Sequence, residues 1–242
     1  MRFVRVIHTF WSVLVFNLVF VVLFPFFLVP IFFSSKHKLT GILNRIWAKS
    51  FFTLSFLKYK VEYRAQLDAT KKYIFCPNHF SYLDIPAMGL NKINTVFVGK
   101  NDMEKVPLFG FMYRKLHITV NRSSLRSRGE TQLRSIQAVE AGKNLVIYPE
   151  GGIVTADPPQ MRPFKDGAFR TAIEKQITIV PVTIPFNWII LPDQKYLHLY
   201  RGTVKVIFHE PIETAGMSLE NIKELKEKVF GVIANEIKKQ NK

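Results

Sequence analysis

His79 and Asp84 stand five residues apart in the stretch Asn78-His79-Phe80-Ser81-Tyr82-Leu83-Asp84. The run before them, Lys71-Lys72-Tyr73-Ile74-Phe75-Cys76-Pro77, reads as a buried strand that ends at its proline. Asn78 and His79 then fall in the connection to a helix. A helix starting near Ser81 places Asp84 in its first turn, where its carboxylate can reach back to the imidazole. That contact fixes the tautomer and stabilises the imidazolium formed on proton capture. A histidine base held in this way is typically worth about 10²–10⁴ in rate. No Gly-x-Ser-x-Gly elbow accompanies the pair, which leaves room for the activated hydroxyl to be the substrate's own. The competing reading is a loop histidine followed by a helix-capping aspartate.

A second stretch, Asn144-Leu-Val-Ile-Tyr-Pro-Glu-Gly-Gly-Ile-Val-Thr155, runs from a strand over Leu145–Tyr148 into Pro149-Glu150-Gly151-Gly152. Two glycines after a glutamate at a strand's end let a substrate approach the backbone closely. Taken alone it is a turn. The lone cysteine, Cys76, reads as a small core residue and leaves no internal disulfide to form.

These residues need a scaffold. Short β-rich runs cover Lys60–Arg64, Tyr73–Cys76, Thr95–Val98, Ile118–Asn121, Leu145–Tyr148, Ile177–Ile184 and Val204–His209. Helical patterns cover Asp84–Gly89, Leu108–Arg114, Arg128–Ala141, Gly167–Lys175 and Leu219–Lys239, the last with a Ser218 cap. Continuous apolar strands alternating with helices predict an α/β fold, a largely parallel central sheet covered by helices. In such sheets, sites form where strands end and the chain turns into a helix.

Ahead of this lies a different kind of segment. From Thr9 to Ser35 the chain carries no formal charge, which is long enough for a bilayer-spanning helix. Asn17, Pro25 and Pro30 interrupt it, and the prolines are expected to kink or end a helix near Leu23 or Phe24. The following residues have apolar positions at helical spacing, among them Ile42, Leu43, Ile46 and Trp47, with basic residues between. A membrane hairpin bent at the prolines is favoured over a single span, and no small-residue cleavage site follows that would suit a signal peptide. The chain thus divides into a membrane-associated helical segment over 1–58 and an α/β domain over 59–242.

The net charge is +16 over 242 residues. Lys36, Lys38, Arg45, Lys49, Lys58 and Lys60 crowd the stretch just after the apolar segment, which reads as a patch for an anionic membrane surface. A nucleic-acid partner is not expected, because no helix-turn-helix, zinc-finger or RRM signature accompanies the charge.

With these pieces in place, the motif around His79 resembles the N-H-x-x-x-x-D motif of the 1-acylglycerol-3-phosphate acyltransferase family of glycerolipid acyltransferases. Val106 through Arg122 resembles its second block, Tyr148-Pro-Glu-Gly-Gly152 its F-P-E-G block, and Phe164–Ala172 with Ile179–Ile184 its last. The four lie in the family's order over about residues 70 to 190. The resemblance implies that His79 takes the proton from an acceptor hydroxyl as it attacks the thioester of acyl-CoA or acyl-carrier protein. It implies that Asp84 orients His79, that Asn78 and Ser81 shape the pocket or the helix start, and that Glu150 and Gly151 hold the acceptor. Lys100 and Arg122, each following a strand on the same presumed edge, would meet the acceptor's phosphate. No metal and no bound cofactor are implied. The expected place is the inner (cytoplasmic) membrane, with the α/β domain on its cytoplasmic face. The expected acceptor is 1-acyl-sn-glycerol-3-phosphate, giving phosphatidic acid.

One departure bears on that acceptor. The family block continues E-G-T-R, where the arginine serves the phosphate; this chain has Gly152 and Ile153. Either Arg162 or Lys165 supplies the missing charge, or the acceptor lacks a phosphate, as lyso-aminolipids such as ornithine or glycine lipids do. A non-catalytic lipid-surface protein on the same scaffold is the remaining alternative.

Overall fold

The computed structural model describes residues 2–121 and 124–241. Arg122, one of the expected phosphate partners, lies outside the described residues. One sheet holds β1 (Lys58–Tyr63), β2 (Tyr73–Pro77), β3 (Thr95–Lys100), β4 (Ile118–Val120), β5 (Asn144–Ile147), β6 (Thr178–Thr183) and β7 (Thr203–Phe208). Their spatial order is β1-β7-β6-β2-β5-β3-β4. Every neighbouring pair is parallel except β6 with β7, which is antiparallel.

Among the described residues eight α-helices accompany the strands: α1 (Arg2–Phe32), α2 (Lys38–Leu54), α3 (Asp84–Gly89), α4 (Phe109–Leu116), α5 (Leu125–Glu140), α6 (Gly167–Glu174), α7 (Asn187–Ile190) and α8 (Ile222–Gln240). Side chains along a strand point alternately to opposite faces, so each central strand feeds two cores. Phe75, Val146, Val180 and Phe208 pack with Phe51 and Phe52 of α2 and Ala87 and Met88 of α3. Ile74, Leu145 and Ile179 pack with Phe169 of α6 and Leu225 and Val229 of α8. Burial on both faces explains why these strands read as unbroken apolar runs.

The N-terminal segment departs from expectation in one respect. α1 continues through Pro25 and Pro30, and the chain reverses only after Phe32, in a short 3₁₀ turn over Ser34–Lys36 that leads into α2. α1 and α2 form a helical hairpin, but its bend is not at the prolines. Leu23 and Phe27 flank Pro25 and are buried with Leu43 and Trp47 of α2 and Met112 and Leu116 of α4. This packing carries the helix past the hydrogen bonds that the two prolines cannot make. At 31 residues α1 is about 46 Å long. It is apolar enough to cross a membrane. One flank is packed inward, while Phe10, Leu18, Val22, Phe26 and Phe32 are exposed.

Gly41 shows how closely α2 meets the α/β part. A Cβ there would lie 2.5 Å from the Asn94 Cβ and 2.6 Å from its Cα. Because the obstruction is backbone, Gly41→Ala should cost on the order of 1–3 kcal/mol, and thermal unfolding should show a clear drop in the midpoint. An unchanged midpoint would mean that the hairpin does not sit tightly on the sheet.

Candidate active site

The edge at which β2, β5, β3 and β6 end brings most of the candidate residues together. β2 stops at Pro77, and the side chain of Asn78 then spans to the neighbouring strand's exit. Its Nδ2 donates to Ile184 O at 3.0 Å, and its Oδ1 accepts from Ile184 N at 2.7 Å. Ser81 is likewise tied to backbone, donating to Leu191 O at 2.6 Å and accepting from Leu83 N at 3.1 Å. Both side chains are fully buried. Their polar atoms hold the loop that presents His79.

α3 begins at Asp84, the start of the expected Asp84–Gly89 helix, and not near Ser81. The reason is Asp84 itself, whose Oδ2 accepts from the amides of Phe80 (2.8 Å) and Ser81 (2.9 Å) and curls the chain before helical bonding begins. The same oxygen meets His79 Nδ1 at 3.0 Å. Its other oxygen, Oδ1, accepts from Asn187 Nδ2 at 2.9 Å. A carboxylate only accepts, so Nδ1 carries the ring proton and Nε2 is left with a lone pair. Tyr148 stacks on the imidazole with centroids 4.0 Å apart and donates its hydroxyl to Asp84 O at 2.9 Å. Burial, then the nearby Asp84 and Tyr113, raises the Tyr148 pKa well above its usual value, so the phenol stays a donor.

Glu150 sits one turn away and is 1% exposed. Its Oε1 accepts from His79 N at 2.8 Å and its Oε2 from Arg162 N at 2.9 Å. It therefore clasps the histidine's backbone to the loop that follows Gly152. Burial pushes its carboxyl up to about 7, against the two backbone donors that favour the ionised form, and the Asp84 charge adds to the rise. Gly151, with φ +82°, gives the turn its shape, and a Cβ there would strike the Lys165 stem, 2.6 Å from Nζ. Lys165 thus lies directly across Gly151, beside the place where the family arginine is missing. Gly152 follows with φ +147°.

Lys100 ends β3, two residues beyond the Val98–Ile147 pair, so it lies level with the Pro149-Glu150 turn on the same edge. Its side chain is more than half exposed and pairs with Asp102. Cys76 is buried on the far face, where burial raises its thiol pKa far above normal, which suits a core residue and not a nucleophile. Among the described residues no three His, Cys, Asp or Glu side chains are grouped to hold a metal ion.

Two members of this constellation were not visible as candidates in the sequence. Tyr148 had a signal, its place directly before Pro149-Glu150. Asn187 had none, since it lies 103 residues from Asp84 and reaches it only through the return of β6 beside β2.

A buried His–Asp pair at the strand ends of a mostly parallel sheet has the geometry that general-base chemistry requires. A sequence family described as Acyltransferase matches residues 58–185, more than half of the chain, and the chain belongs to that family. It is 32% identical over 173 residues to the 1-acyl-sn-glycerol-3-phosphate acyltransferase of Saccharomyces cerevisiae, covering 70% of this chain and 57% of that protein. It is 28% identical over 160 residues to the lyso-ornithine lipid O-acyltransferase of Pseudomonas aeruginosa, covering 60% of each. The crystal structure of the 1-acyl-sn-glycerophosphate acyltransferase PlsC from Thermotoga maritima has the same fold. It aligns with TM-score 0.79 over 99% of this chain and 97% of that one, at 22% identity. The chain spans little more than half the length of the curated relatives it matches.

The Glu150 clasp predicts a pH signature. Its folded pKa of about 7 lies above the ordinary 4.5, so the native state holds a proton that the unfolded chain has released. The stability from that proton is complete below about pH 4.5 and is lost as pH rises through about 7. The variant Glu150→Gln cannot titrate, although its amide nitrogen opposes one backbone donor at every pH. The wild-type melting midpoint minus that of the variant should therefore shrink between these two pH values. A difference that stays flat would remove the protonated Glu150 from the account.

Proposed function

We propose that the chain transfers an acyl group from a thioester to the free hydroxyl of a lysolipid, with His79 as general base. The observation that carries the reading is the His79 Nδ1–Asp84 Oδ2 contact of 3.0 Å, which commits one ring nitrogen and leaves Nε2 to act. The acceptor oxygen attacks the thioester carbonyl carbon while its proton passes to Nε2. The tetrahedral adduct collapses, the carbon–sulfur bond breaks, and the imidazolium returns the proton to the leaving thiolate. An ester and a free thiol result. Asp84 balances the transient charge on the ring, and Tyr148 and Glu150 keep ring and backbone in place. The donor is acyl-CoA or acyl-carrier protein.

The acceptor we favour is 1-acyl-sn-glycerol-3-phosphate. Lys165 supports this choice, because its stem crosses Gly151 where the family's phosphate-serving arginine would follow. Lys100 supports it from the adjoining strand end. A second reading, acylation of a lyso-aminolipid, draws on Gly152-Ile153 in place of the arginine and on the Pseudomonas relative. The exposed apolar flank of α1 supports attachment to a membrane, for which we propose the inner (cytoplasmic) membrane with the site on its cytoplasmic face.

An acceptor panel separates the two readings. Purified protein given acyl-CoA should acylate lysophosphatidate faster than lyso-ornithine lipid. The variant Lys165→Ala should raise KM for lysophosphatidate by about tenfold or more, the loss of one charge-assisted contact. Faster turnover of the lyso-aminolipid, insensitive to Lys165, would replace the first reading with the second.

A further inference from the structure

We infer that a groove at the start of α1 is a binding site for the phosphate-bearing headgroup of an anionic lipid. This rests on the membrane reading above and adds a discrete site to it. The groove, about 1010 Å³, opens between the first turns of α1, the turn from α2 into β1, and the residues leading into β7. Arg5, Lys58 and Arg201 line it, and no carboxylate does among the described residues.

The walls of the groove are fixed by hydrogen bonds. The carbonyls at the end of α2 would repel an anion, but they are already occupied. Trp11 Nε1 donates to Leu54 O at 2.8 Å, and His8 Nε2 meets Ser55 O at 2.8 Å. Leu199 N donates to Thr9 Oγ1 at 3.0 Å, which ties the opposite wall to α1. The Arg5 guanidinium stands 4.2 Å over the Tyr200 ring, held near the groove instead of swinging into solvent.

The rim favours a lipid over a soluble anion. Phe56 adopts φ +55°, a costly conformation for a bulky residue, and is 78% exposed at the groove's edge. With the exposed Val4 it sets greasy surface around the three cations, and the neighbouring Phe3, Ile7 and Phe10 extend that surface along α1. A nucleotide or a nucleic acid would gain nothing from it, whereas a headgroup with attached chains meets both parts. The groove is also on the catalytic edge. β7 runs antiparallel to β6 with Ile207 level with Thr183, so its start projects past the edge at which β2 and β6 end. Tyr200 N donates to Ile190 O at 2.7 Å, and α7 begins at Asn187, which holds Asp84. An anionic lipid in the groove would anchor that edge against the membrane.

The test is sedimentation of the full chain with vesicles of phosphatidylcholine alone or with phosphatidylglycerol added. The variants are the triple Arg5→Gln, Lys58→Gln, Arg201→Gln and a charge-matched control, Lys223→Gln, Lys228→Gln, Lys239→Gln on α8. Melting midpoints establish that each is folded. The groove triple should lose tenfold or more in affinity for the phosphatidylglycerol vesicles, since each cation near anionic headgroups is worth about fivefold. It should bind neutral vesicles as wild type does, and the control should change less than about twofold. Equal losses in both triples would overturn the site in favour of diffuse attraction by net charge. Displacement of the wild type from phosphatidylglycerol vesicles by free coenzyme A, but not by inorganic phosphate, would reassign the groove to the acyl donor. Failure of wild type to bind any vesicle would instead overturn the membrane reading itself.

Discussion

The Asp84 carboxylate organises everything near it. A fully buried charge is tolerated only when its oxygens are saturated by donors, and four nitrogens converge on this one: Phe80 N, Ser81 N, His79 Nδ1 and Asn187 Nδ2. Two of those bonds shape the loop after β2, the third sets the histidine's tautomer, and the fourth joins α7 to α3. Hydrogen bonds to a charged group are worth roughly 1.5–3 kcal/mol each, so the loop's shape and the imidazole's orientation are settled by one group. Glu150 performs a related task from the other side, with the His79 amide on one oxygen and the Arg162 amide on the other. The histidine is thus held by its ring and by its backbone, through different carboxylates.

That arrangement depends on the sheet. β2 lies between β5 and β6, so His79, Glu150 and Asn187 can all leave the same edge. The reversal of β7 brings a further segment, through Tyr200, back to this edge beside the start of α1. The hairpin is packed on the α/β part through Phe51, Phe52, Trp47 and Phe27. Its remaining flank stays apolar and exposed, so the surface that would meet lipid and the edge that would do the chemistry belong to one packed body.

Much of this was legible in the sequence, for identifiable reasons. Strands buried on both faces announce themselves as apolar runs, which is why β2 and β6 and the largely parallel sheet could be read directly. The His79–Asp84 contact was legible because its two members are close in the chain and flanked by a strand and a helix. The bend of the hairpin was misjudged because local proline chemistry was weighed without the packing of Leu23 and Phe27 that overrides it. Glu150 was expected to hold the acceptor, yet both of its oxygens are engaged by the protein's own backbone; no sequence pattern distinguishes a carboxylate facing a ligand from one facing an amide. Asn187 was invisible because its partner is brought to it only by tertiary structure. Lys165 was found through a departure from the family block, and the Gly151 turn against which it lies gives that choice a physical basis.

The central claim is that the His79 imidazole, oriented by Asp84, takes the acceptor's proton. The most direct measurement compares wild type with His79→Ala for thioester-dependent acylation of lysophosphatidate, with vesicle binding measured on the same preparations. Loss of a general base predicts a fall in kcat of about 10²–10⁴ or more, while vesicle binding and the melting midpoint stay close to wild type. Comparable turnover by the two proteins would contradict the account.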